Sequence, residues 1–407
     1  MKRALLLSTL LLALLLCACG TVAATQPEPG AAPESTQTPA PTPTPFPEPV
    51  TQPGGEAYVD GHALADGFCR KDDIAYVRLS QLAEALGSAL ERDGESFSFA
   101  WRKSRVELQA DRLSARYLDR DWQMEAVPLL CRGGEDLLVP AKGLCDAAQI
   151  GFLADEETNS LYCTPATGDW ELPEGYTVPM LMYHMVSDSG SDEANLIVLP
   201  SSLEEQFIWL QDHGYTPIWF EDLWHVEDFE KPVILIFDDG YYNMYDYVLP
   251  LAETYGVKVE IAIITETAEH GGLHLTEEQI LEMAQSPVIS FQSHSVTHAN
   301  LAETWAVPDP EWELRESALW MTRTLKKAPV TFVYPTGGST PEVQELLPRY
   351  YRFGVKMVGK PWVTGEDPTE IYRFFVERLT PADAIGHWLD VAFDDPAVKN
   401  YCPRVTP

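Results

Sequence analysis

The chain has 407 residues, long enough for two domains with appendages. It sets 28 Lys+Arg against 62 Asp+Glu, a formal charge of −34. Such a surface repels nucleic acid, which is excluded as a partner, and leaves neutral or cationic polymers acceptable.

Residues 1–19 open with Lys2 and Arg3 ahead of a leucine-rich run and read as a secretory signal. The apolar run is short for a membrane span, and it ends in "LCAC". That ending resembles the lipobox of bacterial lipoproteins, in which a small residue precedes the acylated cysteine. Ala18 before Cys19 fits the pattern, whereas Leu16 before Cys17 does not. The resemblance implies lipidation at Cys19 and a mature protein held on the outer side of the cell membrane. Residues 20–55 form a proline-rich linker: ten prolines fall between 26 and 53, among Thr, Gln, Glu and Gly. Such a segment cannot pack a core and favours extended polyproline II, which suits a stalk.

Residues 56–166 carry a weak internal repeat. "AYVRLSQLAEALG" (75–87) is echoed by "LLVPAKGLCDAAQIG" (137–151), each predicting a strand, a short helix and a glycine stop. Each copy is followed by an acidic turn and another strand. The pattern resembles the copper amine oxidase N-terminal-like domain, a small α+β module. His62 is the sole histidine of the region, so there is no copper site, and a structural or wall-contacting accessory role is expected. Cys69, Cys131, Cys145 and Cys163 lie here too. One or two disulfides and buried free thiols both remain open readings. No CxxC is present, which argues against a cysteine zinc site.

From residue 177 to 395, apolar strands alternate with amphipathic helices. The strands are expected at 178–184, 232–238, 259–265, 288–294, 330–335, 353–359 and 372–377. The helices are expected at 202–213 (behind a Ser201–Glu204 capping box), 243–255, 276–285, 310–327, 341–350 and 381–391. Alternation on this scale implies parallel strands in an α/β barrel or sheet, with chemistry at the C-terminal strand ends.

Those ends carry "MYH", "FDDG", "SHSVTH" and "VYPTGG". Two imidazoles and one carboxylate provide three ligands with open positions for water, which suits a catalytic divalent metal. Once one aspartate is a ligand, its neighbour is free to act as general base. Adjacent strand residues point to opposite faces, so the Gly240 turn is needed to bring Asp238 and Asp239 to one site.

"FDDG", "SHSVTH" and "FVYPTGG", in this order, resemble the polysaccharide deacetylase family (carbohydrate esterase family 4, NodB-like) over roughly 177–392. The resemblance implies a distorted (β/α) barrel that removes N-acetyl groups from an amino-sugar polysaccharide, peptidoglycan or a secreted N-acetylglucosamine polymer. It implies Asp238 as base, and Asp239, His294 and His298 as ligands to one divalent metal: Zn2+ first, with Co2+, Ni2+ or Fe2+ as alternatives. The Thr336 N–H after Pro335 would stabilise the oxyanion, with Tyr334 and Pro335 beside the substrate.

The arginine common in the third motif is replaced by Val333, and Arg373 is the candidate substitute. The usual late leucine-x-histidine is absent as well. "PMLMYHMV" resembles the circularly permuted branch of the family, which implies His184 as the general acid. Trp305 and Trp362 are candidate sugar-stacking residues. "HGGLH" repeats the ligand spacing at His270 and His274 without a strand-end carboxylate, and reads as an exposed loop, with a place near the site left open. A non-catalytic polysaccharide-binding lipoprotein on the same fold is the alternative, motivated by the missing arginine.

Overall fold

The structure is a computed structural model and describes residues 49–165, 171–189, 196–303, 307 and 309–394. The signal, Cys19, most of the proline-rich linker and Trp305 lie outside the described residues.

The two halves of the N-terminal repeat fold alike. Ile74–Arg78 leads into helix Leu79–Ala85, and Leu137–Pro140 leads into helix Ala141–Ala147. The two strands pair antiparallel, Val77 opposite Val139, so the repeat closes on itself in one sheet. A meander spanning Glu91–Gln123 and a further four-stranded sheet complete three sheets around a core of its own, with Val59, Leu82, Phe99 and Leu144 at its centre. The four cysteines are unbridged, and the buried Cys145 and Cys163 sulfurs lie 3.4 Å apart.

The barrel uses seven parallel strands: β1 (Met180–Tyr183), β2 (Pro232–Phe237), β3 (Val259–Ile263), β4 (Ile289–Ser293), β5 (Thr331–Val333), β6 (Phe353–Val358) and β7 (Ile371–Phe375). Each pairs with the next, and β7 returns to pair with β1, closing the ring. Both faces of such strands are covered, so they read as unbroken apolar runs, and all six residues of β2 are buried.

The period of two still sorts them. Leu181, Tyr183, Leu235, Phe237 and Ile261 pack outward with Leu203, Phe207 and Leu210 of helix α1 (Pro200–Asp212). Met180, Ile234, Ile236, Ala262 and Ile371 pack together with Phe220, Leu223 and Trp224, the residues that plug the barrel. Helix α1 begins at Pro200 behind Leu199, with no side-chain cap, so the expected Ser201–Glu204 box does not form: both residues already lie inside the helix. The capping box appears instead at Thr276 and Gln279, opening helix α2 (Glu277–Met283). Part of the expected 243–255 helix is a π-helical turn at Met244–Val248.

Helix α3 (Pro310–Leu325) packs on both domains. Leu314, Ala318 and Leu319 share a core with Leu153 and Tyr162 of the N-terminal domain, and Arg323 reaches Asp155 at 3.5 Å and Glu157 at 3.0 Å.

One charged side chain lies inside the barrel, far from its functional mouth. Glu260 of β3 is 0% exposed and accepts from the Phe220 N–H at 2.8 Å and from Gln292 Nε2 at 3.0 Å. Burial, reinforced by Glu221, pushes its pKa up to about 8. A carboxyl that binds its proton more tightly when folded contributes stability that is complete below the unfolded pKa and is lost as pH rises to the folded one. Stability should therefore fall by a few kcal/mol between about pH 4.5 and about pH 8. Thermal melts across this window should show that slope in the native protein and a flatter one in Glu260→Gln. Parallel slopes would mean that Glu260 does not titrate.

Candidate active site

The question raised by two adjacent aspartates is answered by backbone geometry. Ile234 and Ile236 face the barrel interior, and Asp238, next in the alternation, follows them to the mouth. Asp239 would then face away. Its φ of 71°, followed by 67° at Gly240, breaks the strand and turns its carboxylate back. A non-glycine residue in the left-handed region is held there by its surroundings, and such strain concentrates at functional sites. A side chain at Gly240 would meet Ile263 Cγ2 at 2.9 Å, so glycine is required here on steric as well as conformational grounds.

The two aspartates have different partners. Asp239 Oδ1 lies 3.4 Å from His294 Nε2 and 3.4 Å from His298 Nε2. Ligands held about 2.1 Å from a tetrahedral ion sit about 3.4 Å from each other. The three atoms therefore fit one metal ion, and they form a group whose ligand atoms all lie within 4.8 Å. His294 Nδ1 donates to the Val333 carbonyl at 2.7 Å, which fixes the tautomer and leaves Nε2 as the free lone pair. Burial alone would raise the Asp239 pKa, but the charge that the neighbouring imidazoles carry when protonated, His294 foremost, holds it far below the usual carboxylate range.

Asp238 is gripped by Arg373 of β7: Nη1 to Oδ1 at 2.7 Å and Nη2 to Oδ2 at 2.8 Å, with the guanidinium side chain 1% exposed. Arg373 Nε is fixed in turn by the Lys356 carbonyl at 2.9 Å. Burial would raise the Asp238 pKa, but Arg373, followed by His294, outweighs it and keeps the carboxylate ionised. Arg373, the candidate substitute for the missing third-motif arginine, brings its guanidinium to Asp238 from another strand.

His184 follows β1 directly, and its Nε2 is 4.0 Å from Asp238 Oδ2. Its Nδ1 is buried without a hydrogen-bond partner among the described residues. Burial lowers its pKa, against the opposing pull of Asp238 and Asp239.

A cleft of about 330 Å³ gathers His184, Asp238, Asp239, His294, His298 and Arg373, with Tyr241, Tyr334, Thr336 and Met357 among its other walls. Thr336 takes φ 58° in the turn after β5. Two expectations are corrected. Trp362 is 2% exposed, packed edge-on to Phe353 in the core at a ring distance of 6.1 Å, because its short strand pairs with Thr177–Val178. Pro335 is buried beneath the turn and does not line the cleft, so it shapes the loop without reaching substrate.

Two contributors stand outside the motifs that carry the resemblance. Glu313 of α3, buried at 3% exposure, accepts from the Val296 and Thr297 N–H groups at 2.9 and 3.1 Å and from Thr297 Oγ1 at 2.5 Å. It thereby holds the loop between His294 and His298, the two candidate metal ligands. The second is the HGGLH loop, which is not merely exposed: the His274 ring stacks on Tyr241 at 5.1 Å.

Residues 225–354 match the family model described as polysaccharide deacetylase. Over that segment the barrel domain is similar to polysaccharide deacetylases. Over 129 residues it is 38% identical to YxkH of Bacillus subtilis (strain 168), provisionally named a polysaccharide deacetylase, a match covering 30% of this chain and 44% of that protein. Over 134 residues it is 27% identical to the poly-beta-1,6-N-acetyl-D-glucosamine N-deacetylase of Escherichia coli (strain K12), covering 28% of this chain and 20% of that one. The matches span less than half the length of either relative. Among solved structures, a polysaccharide deacetylase from Bacillus cereus shares the fold with a TM-score of 0.50 at 18% identity, covering 74% of this chain and 98% of that one. Within the barrel domain, His184 and Arg373 fall outside the matched 225–354 segment, and geometry alone joins them to the site.

Proposed function

We propose that the protein hydrolyses N-acetyl groups from an amino-sugar polysaccharide, with a divalent metal held by Asp239, His294 and His298. The observation that carries this reading is the division of labour between the neighbouring acids. Asp239 sits at ligand spacing from both imidazoles, while Arg373 draws Asp238 out of the ligand set.

A divalent ion in this site supplies Lewis acidity, polarising the acetyl carbonyl and easing the ionisation of water. Asp238, ionised and fixed, accepts the proton of the attacking water. The Thr336 N–H, on the cleft wall, stabilises the developing oxyanion. His184 protonates the departing amine, so acetate and a free amino sugar leave together. Arg373 and Tyr334 shape the wall around the reacting group. Lipidation at Cys19 and a stalk over residues 20–55 would place this chemistry outside the membrane, next to peptidoglycan or a secreted N-acetylglucosamine polymer.

Acetate release from N-acetylglucosamine oligomers tests the proposal. Zinc-loaded protein should release acetate, a chelator should abolish release, and added Zn2+ should restore it. Absence of release from both β-1,4- and β-1,6-linked oligomers, with the polymers still bound, would favour a polysaccharide-binding protein on the same fold.

A further inference from the structure

The N-terminal domain meets the barrel through helix α3, and α3 also carries Glu313. Leu153 and Tyr162 of the N-terminal domain lie in one buried apolar cluster with Leu314, Ala318 and Leu319 of α3. The same cluster includes Leu301, three residues after His298, and Tyr334, two before Thr336. The apolar core behind the site therefore runs on into the N-terminal domain. At the C-terminal end of α3 the two backbones touch. A Cβ on Gly61 would stand 2.0 Å from the Lys326 carbonyl oxygen, so the Asp60–Gly61 turn is seated against the residue that ends the helix. Tyr58 stacks on Tyr162 at 5.3 Å, and Lys326 Nζ lies 5.7 Å above the Tyr58 ring.

The other end of the helix faces the candidate ligands. Glu313, in its first turn, receives the Val296 and Thr297 N–H groups and the Thr297 hydroxyl, all from the loop between His294 and His298. Where that carboxylate stands depends on where α3 lies. The barrel fixes the helix on one side, with Ser317 Oγ 2.7 Å from the Tyr351 hydroxyl, and the N-terminal domain fixes it on another. Close-packed contacts of this kind leave little slack and transmit strain.

We propose that the N-terminal domain acts as a clasp on α3, with Glu313 as the positioning residue through which it sets the His294–His298 loop for the metal. The inference rests on the metal-site reading above. Outer partners that fix ligand orientation typically account for 10- to 100-fold in metal affinity. The domain thus takes part in the metal site without contributing a ligand to it.

Zinc affinity, measured by competition with a chelating dye on the full chain, tests this without recourse to turnover. Glu313→Gln keeps the size of the side chain but turns an amide donor toward the loop N–H groups, and should weaken zinc binding about 10-fold. Two substitutions disturb the clasp from outside the site. Gly61→Asn tolerates a left-handed φ but wedges the turn against α3, and Leu319→Ala empties part of the shared core. Each should weaken zinc binding about 2- to 30-fold. Gly94→Asn, the same change at a left-handed turn of the same domain with nothing within 4 Å, should bind zinc as the native protein does. Either clasp variant combined with Glu313→Gln should bind no worse than Glu313→Gln alone. Melting of the metal-free variants checks that each is folded. Native affinity in both Gly61→Asn and Leu319→Ala, or losses that add fully to that of Glu313→Gln, would overturn the proposal. An equal loss in Gly94→Asn would overturn it too, by showing that any disturbance of the domain suffices. Asp239→Asn separates the two levels: if it binds zinc as tightly as the native protein, the metal-site reading itself fails, whatever the clasp does.

Discussion

Asp238→Asn is expected to lower acetate release by about 10³-fold or more while zinc remains bound. The substitution keeps the size and shape of the side chain but removes its ability to take a proton, and general-base groups of this kind contribute about 10²- to 10⁴-fold. The metal trio is untouched, since Asp239, His294 and His298 keep their 3.4 Å spacings independently of Asp238. Arg373 loses half of its bidentate partner, so the variant should also melt lower, by an amount equivalent to about 1–3 kcal/mol. Assays must therefore be run well below its melting point. Asp239→Asn should behave differently and lose zinc and activity together. Zinc titration beside acetate assays distinguishes the two aspartates, and an Asp238→Asn protein that still turns over would remove Asp238 as the base.

Much of this site was legible because its parts are local. "FDDG" sets the candidate base beside one ligand and "SHSVTH" sets two ligands four residues apart, each at a strand end, and apolar runs with helical intervals announce a parallel barrel. What could not be read was set by closure of the ring. Arg373 meets Asp238 only because β7 pairs with β6 and β1, and a sequence cannot say which strand returns to the first. The strain at Asp239 was hidden for a related reason. The glycine beside it drew attention as the turn residue, yet the left-handed conformation begins one position earlier. Glu313 looks like any acidic residue of an amphipathic helix until the helix is packed against the histidine loop. Trp362 misled in the opposite direction: aromatic residues after strand ends can line a groove, but here a two-residue strand folds it back into the core.

Arg373→Met should produce the other large effect, on stability and catalysis at once. Removing one member of a buried ion pair leaves the partner uncompensated and costs about 3–5 kcal/mol. Here the stranded group is Asp238, which burial alone would push toward protonation and which Arg373 holds ionised. The sign of the pH dependence follows. In the native protein, a depressed carboxylate pKa contributes stability that is present above the unfolded value of 3.8 and lost as pH falls through the folded one. In Arg373→Met that contribution vanishes, so the deficit against the native protein should be greatest at neutral pH and shrink in acid, where Asp238 is protonated in both. The same rise in pKa should move the acid limb of the kcat/KM profile upward, because the base would have to ionise without its guanidinium. Arg373→Lys should recover part of the charge compensation but not the bidentate geometry, and should fall between the two. Chemical denaturation at neutral and acid pH, paired with pH–rate profiles, checks both halves. An acid limb that stays in place in Arg373→Met would mean that the guanidinium packs the barrel mouth without setting the ionisation of Asp238.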